Sequence, residues 1–289
     1  MEELKYKLTD ECITVYGREL HRIEALKCFG NITKGQKGGF VESEENLSQE
    51  GDCWIGHNAK VYDSAKIFNN ARILRNAEIC GRAEICGNAI VSGKAQVYDK
   101  AIIFGSAQIY GESKIFDNAH IHGQAVILGN AVVSDNAEIY DYATISGSAT
   151  IYGSATVYGH AKVSGNAEIF GNAKVYDIVF VYENARIYDS AEVFGNASVH
   201  SNAVIRGYAK VSNINDYIVF KNWWSSGRSF TWTKSNNMWS VGCFYGTGKE
   251  LIKKAYKDSE LSGREYKRVV DYVESILRDT TDEKKSTSL

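Results

Sequence analysis

The chain has 289 residues, a formal net charge of −2 and no proline. That balance excludes a general polyanion-binding surface and, equally, a strongly acidic mimic of DNA. Six cysteines without a CxxC spacing read as reduced packing thiols of a cytoplasmic protein, MEELKYKLTD is not a signal peptide, and no apolar run approaches the ~18 residues of a membrane span.

Residues 1–52 carry no repeat. KYKLT and CITVYG read as short strands, ELHRIEALKCFG is ambiguous, and KGQKGGFVESEENLSQEG is rich in turn formers. This segment is expected to cap the repeat array downstream, because the first coil of such an array exposes an unpaired strand edge and an open core.

From 53 to 214 a six-residue unit recurs without insertion. Every sixth residue from Val61 to Val211 is Ile or Val, through 26 units. Two positions earlier stands Ala, from Ala59 to Ala209, replaced only by Ser113 and Val179. One further unit, CWIGHN, keeps Ile55 in step and puts Cys53 at the Ala site. Ala-x-Ile/Val reads as a short strand with Ala and Ile/Val on one face. Gly, Asp or Asn two places after the aliphatic residue allows a corner with positive φ. Short strands and corners in one sense make a β-solenoid.

Charge fixes the number of units per coil. Lys60 and Glu78, Lys66 and Glu84, Glu168 and Arg186, Lys174 and Glu192, and Glu192 and Lys210 are 18 apart, and each pair is opposite in sign. At a spacing of 12 Lys60 meets Arg72, and at 24 Glu168 meets Glu192. Stacked opposite charges help and like charges hurt, so three units close one coil. Nine coils at roughly 4.8 Å each make a rod about 43 Å long.

The pattern of an aliphatic residue, three others, Ala and one more resembles the hexapeptide repeat of left-handed parallel β-helices, over about 160 residues. The left hand is implied by that resemblance alone. This chain departs from the family's enzymes by placing Tyr, Phe, Ser or Cys directly after the aliphatic residue, with Gly one place later. GNITKGQKGGFVESEENLSQEGDCWI and VGCFYGTGKELI also look like the opening and closing segments of hexapeptide-repeat proteins carried by bacteriophages and prophages.

Outward positions hold the surface information. Tyr62, Tyr98, Phe116, Tyr152, Phe170 and Tyr188 fall on one face; Phe68, Phe104, His122, Tyr140, Tyr158, Tyr176 and Phe194 fall on a second; the third is weaker. Stacked rings on neighbouring coils shield one another, or else they are covered by a partner. In DIVFVYEN the rule breaks: Ile178 replaces a polar corner residue and Phe180 fills an outward site, which with Tyr182 makes an apolar knob. It either docks the chain's own C-terminal unit or contacts a partner.

After Val211 the period fails. YIVFKNWW, SFTWT and MWSVGCFY alternate like strands. Thr247–Glu250 and Ser262–Glu265 match the S/T-x-x-E capping box, predicting two helices. An α+β unit over 215–279 and a disordered tail over 280–289 are expected. Trp223, Trp224, Trp232 and Trp239 read as the unit's core, with the Trp223–Trp224 pair as an alternative contact surface.

The family resemblance implies acyl transfer as the enzymatic alternative, which requires a general-base His and a loop extruded from the coils; no such loop interrupts 53–214. His120 and His122 flank Ile121, with Glu138 one coil above His120, an arrangement a zinc ion could use. The neighbours Phe104 and Tyr140 are poor ligands, however, and two surface histidines explain the pattern better, so no metal is assigned. GTGKE lacks the earlier Gly and the hydroxyl of a phosphate loop. No catalytic residue and no cofactor are assigned.

The expectation is mainly β: a left-handed parallel β-helix with a small N-terminal cap and a C-terminal α+β unit, non-catalytic and phage-type. It is expected to bind a bacterial host protein or ribonucleoprotein, as an anti-CRISPR or other anti-defence protein, without direct nucleic-acid or membrane binding and with homo-oligomerisation open. A nucleotide-signal sponge is the alternative binding role. The binding candidates are Tyr140, Tyr158, Tyr176, Ile178, Phe180, Tyr182, Trp223 and Trp224. Ile139→Asp is expected to unfold several coils by burying an unpaired charge in a one-dimensional stack. A wild-type melting temperature would refute an inward Ile139.

Overall fold

The computed structural model describes residues 3–286, with side chains through 278. A hairpin of β1 (Tyr6–Val15) and β2 (Arg18–Ala25) leads to β3 (Lys37–Val41), and 27 two-residue strands follow, from β4 (Trp54–Ile55) to β30 (Lys210–Val211). They form a parallel β-solenoid with three flat faces. Face one contains Lys60–Val61 and every third strand after it, face two begins at Lys66–Ile67, and face three begins at Trp54–Ile55.

Coils are joined laterally through their backbones. Lys60 N–H donates to Ala77 C=O at 2.9 Å, Tyr62 to Ile79 at 3.1 Å and Ser64 to Gly81 at 2.8 Å, a pattern repeated up the rod. Ala and Ile/Val point inward and are almost wholly buried from Ala59 to Val211. The five opposite charge pairs all stand in adjacent register. Two of them close ion pairs, Glu168–Arg186 at 2.8 Å and Glu192–Lys210 at 3.5 Å. Glu78 instead accepts a short hydrogen bond from the Tyr62 hydroxyl.

The corners need left-handed backbone. Gly105 and Gly129 take φ of +68° and +75°, and Asp63, Asp135 and Asp177 adopt the same region. A corner aspartate gains something glycine lacks. Its carboxylate accepts the corner N–H one coil on, as Asp135 does from Gly153 at 2.9 Å and Asp177 from Gly195 at 2.9 Å.

The first coil begins before residue 53. Phe40–Val41 pairs in parallel with Lys60–Val61, and Leu47 bridges Ile67, so Val41, Leu47 and Ile55 line the three inside walls. Leu47 and Ile55 are eight apart rather than six, which breaks the period and hides this coil from the sequence. Beneath it, Lys5 is 1% exposed and its ammonium donates to the carbonyls of Glu50 at 3.2 Å, Gly51 at 3.3 Å and Cys53 at 3.2 Å. The cap thus closes the open core while satisfying its buried charge.

At the far end β31 (Tyr217–Lys221), β32 (Ser229–Thr233), β33 (Met238–Val241) and β34 (Phe244–Gly246) form an antiparallel sheet. It covers the last coil's unpaired amides: Val204 N–H donates to Thr231 Oγ1 at 2.9 Å and Lys210 N–H to Ser235 Oγ at 2.7 Å. Arg206 lies between the rings of Tyr188 and Tyr245 and donates to Ser240 Oγ at 3.1 Å.

Helix α1 (Gly248–Asp258) starts at the expected Thr247–Glu250 box, and α2 spans Glu260–Ser286. The second box is not where α2 begins, because Ser259 Oγ already accepts the Ser262 N–H at 3.1 Å. Nor does α2 end at 279. No Gly or Pro follows Gly263 to break it, so the expected tail of 280–289 is helical through Ser286, and 287–289 lie outside the described residues.

Glu183 sits at a corner with φ +59°, where a β-carbon costs about 1 kcal/mol. Glu183→Gly should therefore raise unfolding stability by about 1 kcal/mol or slightly less. A lower denaturation midpoint would show that its side chain contributes something the corner geometry does not reveal.

Candidate functional site

Face two carries a continuous column of rings, one per coil. Centroid separations run 4.6 Å for Phe104–His122, 5.0 Å for His122–Tyr140, 4.9 Å for Tyr140–Tyr158, 5.0 Å for Tyr158–Tyr176 and 5.5 Å for Tyr176–Phe194, with interplanar angles of 2° to 10°. The coil spacing imposes this stack, because the solenoid repeats the same rotamer environment in every coil.

The column runs beside the corner that turns face two into face three. Just past that corner a second column holds Gln124, Tyr142, His160 and Ile178. Gln124 Nε2 donates to the Tyr142 hydroxyl at 3.2 Å, and Tyr142 stacks on His160 at 4.9 Å. Phe180 follows on face three, with the Lys162 ammonium 5.5 Å from its ring centre. Tyr182 stacks on His200 at 5.1 Å.

Exposure singles out this edge. From Cys53 to Ser212 the exposed large hydrophobic side chains are Phe104, Tyr142 at 52%, Ile178 at 53%, Phe180 at 43% and Tyr208. All but Tyr208 lie on face two, on this corner or beside it on face three. At the corner between faces one and two, the residues at the equivalent position are polar from Ser64 to Ser190, such as Lys100, Asn118 and Asn136, and only the last of them, Tyr208, is aromatic, at 81% exposure.

The structure brings Tyr140, Tyr158, Tyr176, Ile178 and Phe180 to one edge, whereas Tyr182 lies at the other side of face three, beside the corner that leads into face one. It does not bring the tryptophan pair there. Trp224 is half-buried in the C-terminal core, edge-on to Tyr266 at 4.9 Å, so it is no surface residue. Trp223 is 72% exposed and packs edge-on against Trp224, rather than contributing to the core formed around Trp232 and Trp239. Tyr142 and His160 are absent from the sequence-based candidates, although they occupy one position of the repeat in successive coils.

His120 and Glu138 are register partners, yet the hydrogen bond to Glu138 comes from His122, whose Nε2 lies 3.1 Å from Oε1. The imidazole is held flat between Phe104 and Tyr140. Among the described residues no group of three His, Cys, Asp or Glu side chains is placed to hold a metal ion.

Residues 83–99 match the family model of the YdcK beta solenoid repeat. No curated protein matches the chain. Fold and match together define a β-helix repeat protein, mainly β, with a small helix-and-sheet unit at its C-terminus. Among the described residues no helix is long and apolar enough to cross a membrane.

Partial burial, and then nearby charges such as Glu138, Asp177 and Glu192, hold the phenols of Tyr140, Tyr158 and Tyr176 above their ordinary value. A raised phenol favours the folded state while protonated. Its contribution is therefore complete below about pH 10 and is lost as pH rises through the folded values. NMR of labelled tyrosine should show these three titrating above about 10, with stability falling in step. Titration at or below the ordinary value would contradict the stacked environment.

Proposed function

We propose that this chain is a non-catalytic, phage-type binding rod that occupies a macromolecule of a bacterial host, with inhibition of a defence system as its role. The phage-type resemblance of its opening and closing segments supports the host assignment. The observation that carries the binding role is the concentration of exposed apolar side chains at one edge. Such a patch on a rigid scaffold loses little conformational entropy on docking, and exposed patches of this kind mark contact sites. Ile178, Tyr142 and Phe180 are its most exposed members, at 53%, 52% and 43%.

The geometry weighs against the two alternatives. A nucleotide held by intercalation needs roughly 7 Å between flanking rings, twice the van der Waals contact distance of ~3.5 Å. The face-two rings stand 4.6 to 5.5 Å apart, which leaves a base only their edges. Acyl transfer needs a mobile general base beside an extruded loop. His122 is sandwiched and bonded to Glu138, and short connections of equal length join the strands throughout β4 to β30.

The test is capture from bacterial lysate with Phe180→Asp beside the wild type. A stoichiometric host macromolecule on the wild type, reduced about tenfold or more by the substitution, is expected for a central contact residue. A co-purified nucleotide or acetyl-CoA turnover, with no captured macromolecule, would overturn the reading.

A further inference from the structure

We propose that face two packs against the same face of a second copy, with the rods antiparallel and a two-fold axis through the coil of Thr156 and Tyr158. The inference rests on the reading of this edge as a binding surface and names an occupant for its face-two side.

The order of side chains along the columns carries it. In register, the outer column reads His120, Glu138, Thr156, Lys174, Glu192. A two-fold axis along the strand direction reverses the rod and keeps the strands aligned, so each residue one coil below Thr156 faces the residue one coil above it in the other copy. Glu138 then meets Lys174 of the second copy, and His120 meets Glu192. The relation is reciprocal, so each contact occurs twice. Within a single chain Lys174 is exposed, and no ion pair among the described residues includes it; Glu192 is bridged to Lys210 instead.

The neighbouring columns obey the same axis. Tyr140 faces Tyr176 of the second copy, and Tyr158 faces its own counterpart. In the corner column Tyr142 faces Ile178, with His160 at the centre, so the two exposed apolar residues of 52% and 53% cover each other. Asp141 and Asp177 are also brought across from one another. Their carboxylates accept the N–H groups of Gly159 at 3.3 Å and Gly195 at 2.9 Å, which directs them along the rod rather than outward.

Face three has no such complementarity: its corresponding column holds Arg72 and Lys162 and no carboxylate. Phe180 and Tyr182 lie there, outside the contact, so the dimer would present these two residues twice to a macromolecule while covering Ile178. The shared length is seven coils, roughly 34 Å, which falls at the small end of specific interfaces and implies a concentration-dependent dimer.

Analytical ultracentrifugation of the full chain between about 1 and 100 μM tests this. The mass should rise from 32.1 kDa toward twice that value. Glu138→Lys and Lys174→Glu should each leave a monomer at the upper concentration. The double variant should dimerise again, because each reversed charge meets its reversed partner in the other copy. The two positions are two coils apart in one chain, about 10 Å, with Thr156 between them, so rescue cannot arise within the chain. Unchanged thermal melts establish that all variants fold. A wild type monomeric throughout, a dimer indifferent to the single changes, or a double variant that stays monomeric overturns the proposal. A monomer that still captures a macromolecule through Phe180 would sink this inference and leave the proposed function standing; a dimer that captures nothing would do the reverse.

Discussion

The backbone hydrogen bond from one coil to the next is the constraint on which the molecule rests. A donor such as Lys60 reaches an acceptor in the following coil, Ala77, and the same offset recurs along all three faces. The offset holds only if every coil has the same length, which accounts for 27 strands without an insertion. It also makes the interior narrow, so apart from Ser113, whose hydroxyl donates to Tyr110 C=O, the repeat's inward positions from Ala59 to Val211 hold Ala and Ile or Val, and proline, which lacks the donor, is excluded. Both ends of such a ladder are sticky by nature. The N-terminal hairpin with its buried Lys5 closes one, and the hydroxyls of Thr231 and Ser235 occupy open donors at the other.

From this constraint comes the kind of surface available. A solenoid without extruded loops offers flat faces and corners, and its recognition information lies in the order of residues along columns that rise one coil at a time. Aromatic residues in one column stack because the coil spacing leaves them no alternative, as Tyr140, Tyr158 and Tyr176 do. What distinguishes one edge is that two large side chains past its corner, Tyr142 and Ile178, stand next to Phe180, whereas the neighbouring corner has Tyr208 alone. Those side chains do nothing for the interior, since Val179 and Val181 already fill it.

Much of the fold was legible in the sequence because hydrophobic period and charge register are properties of the repeat itself. The three-unit coil, the inward columns and the positive-φ corners all follow from short-range pattern. Features that stay hidden depend on a single departure from it. Two extra residues between Leu47 and Ile55 conceal the first coil. Lys5 looks like an ordinary surface lysine until three carbonyls converge on it. Of the site, the aromatic column and the Ile178–Phe180 break were legible, but not the diagonal bond from His122 to Glu138, because register alone pairs Glu138 with His120. The tryptophans misled because composition does not say which of two adjacent rings turns inward: Trp224 joins the core and Trp223 does not.

The most direct test of the coil itself is a distance between genetically encoded spin labels at Lys60 and Glu168, which stand in one column six coils apart. Pulsed electron resonance should return a narrow distribution centred near about 29 Å, six spacings of ~4.8 Å. A broad distribution, or a centre beyond about 40 Å, would mean that the chain does not close after three units, and the columns would no longer exist as surfaces.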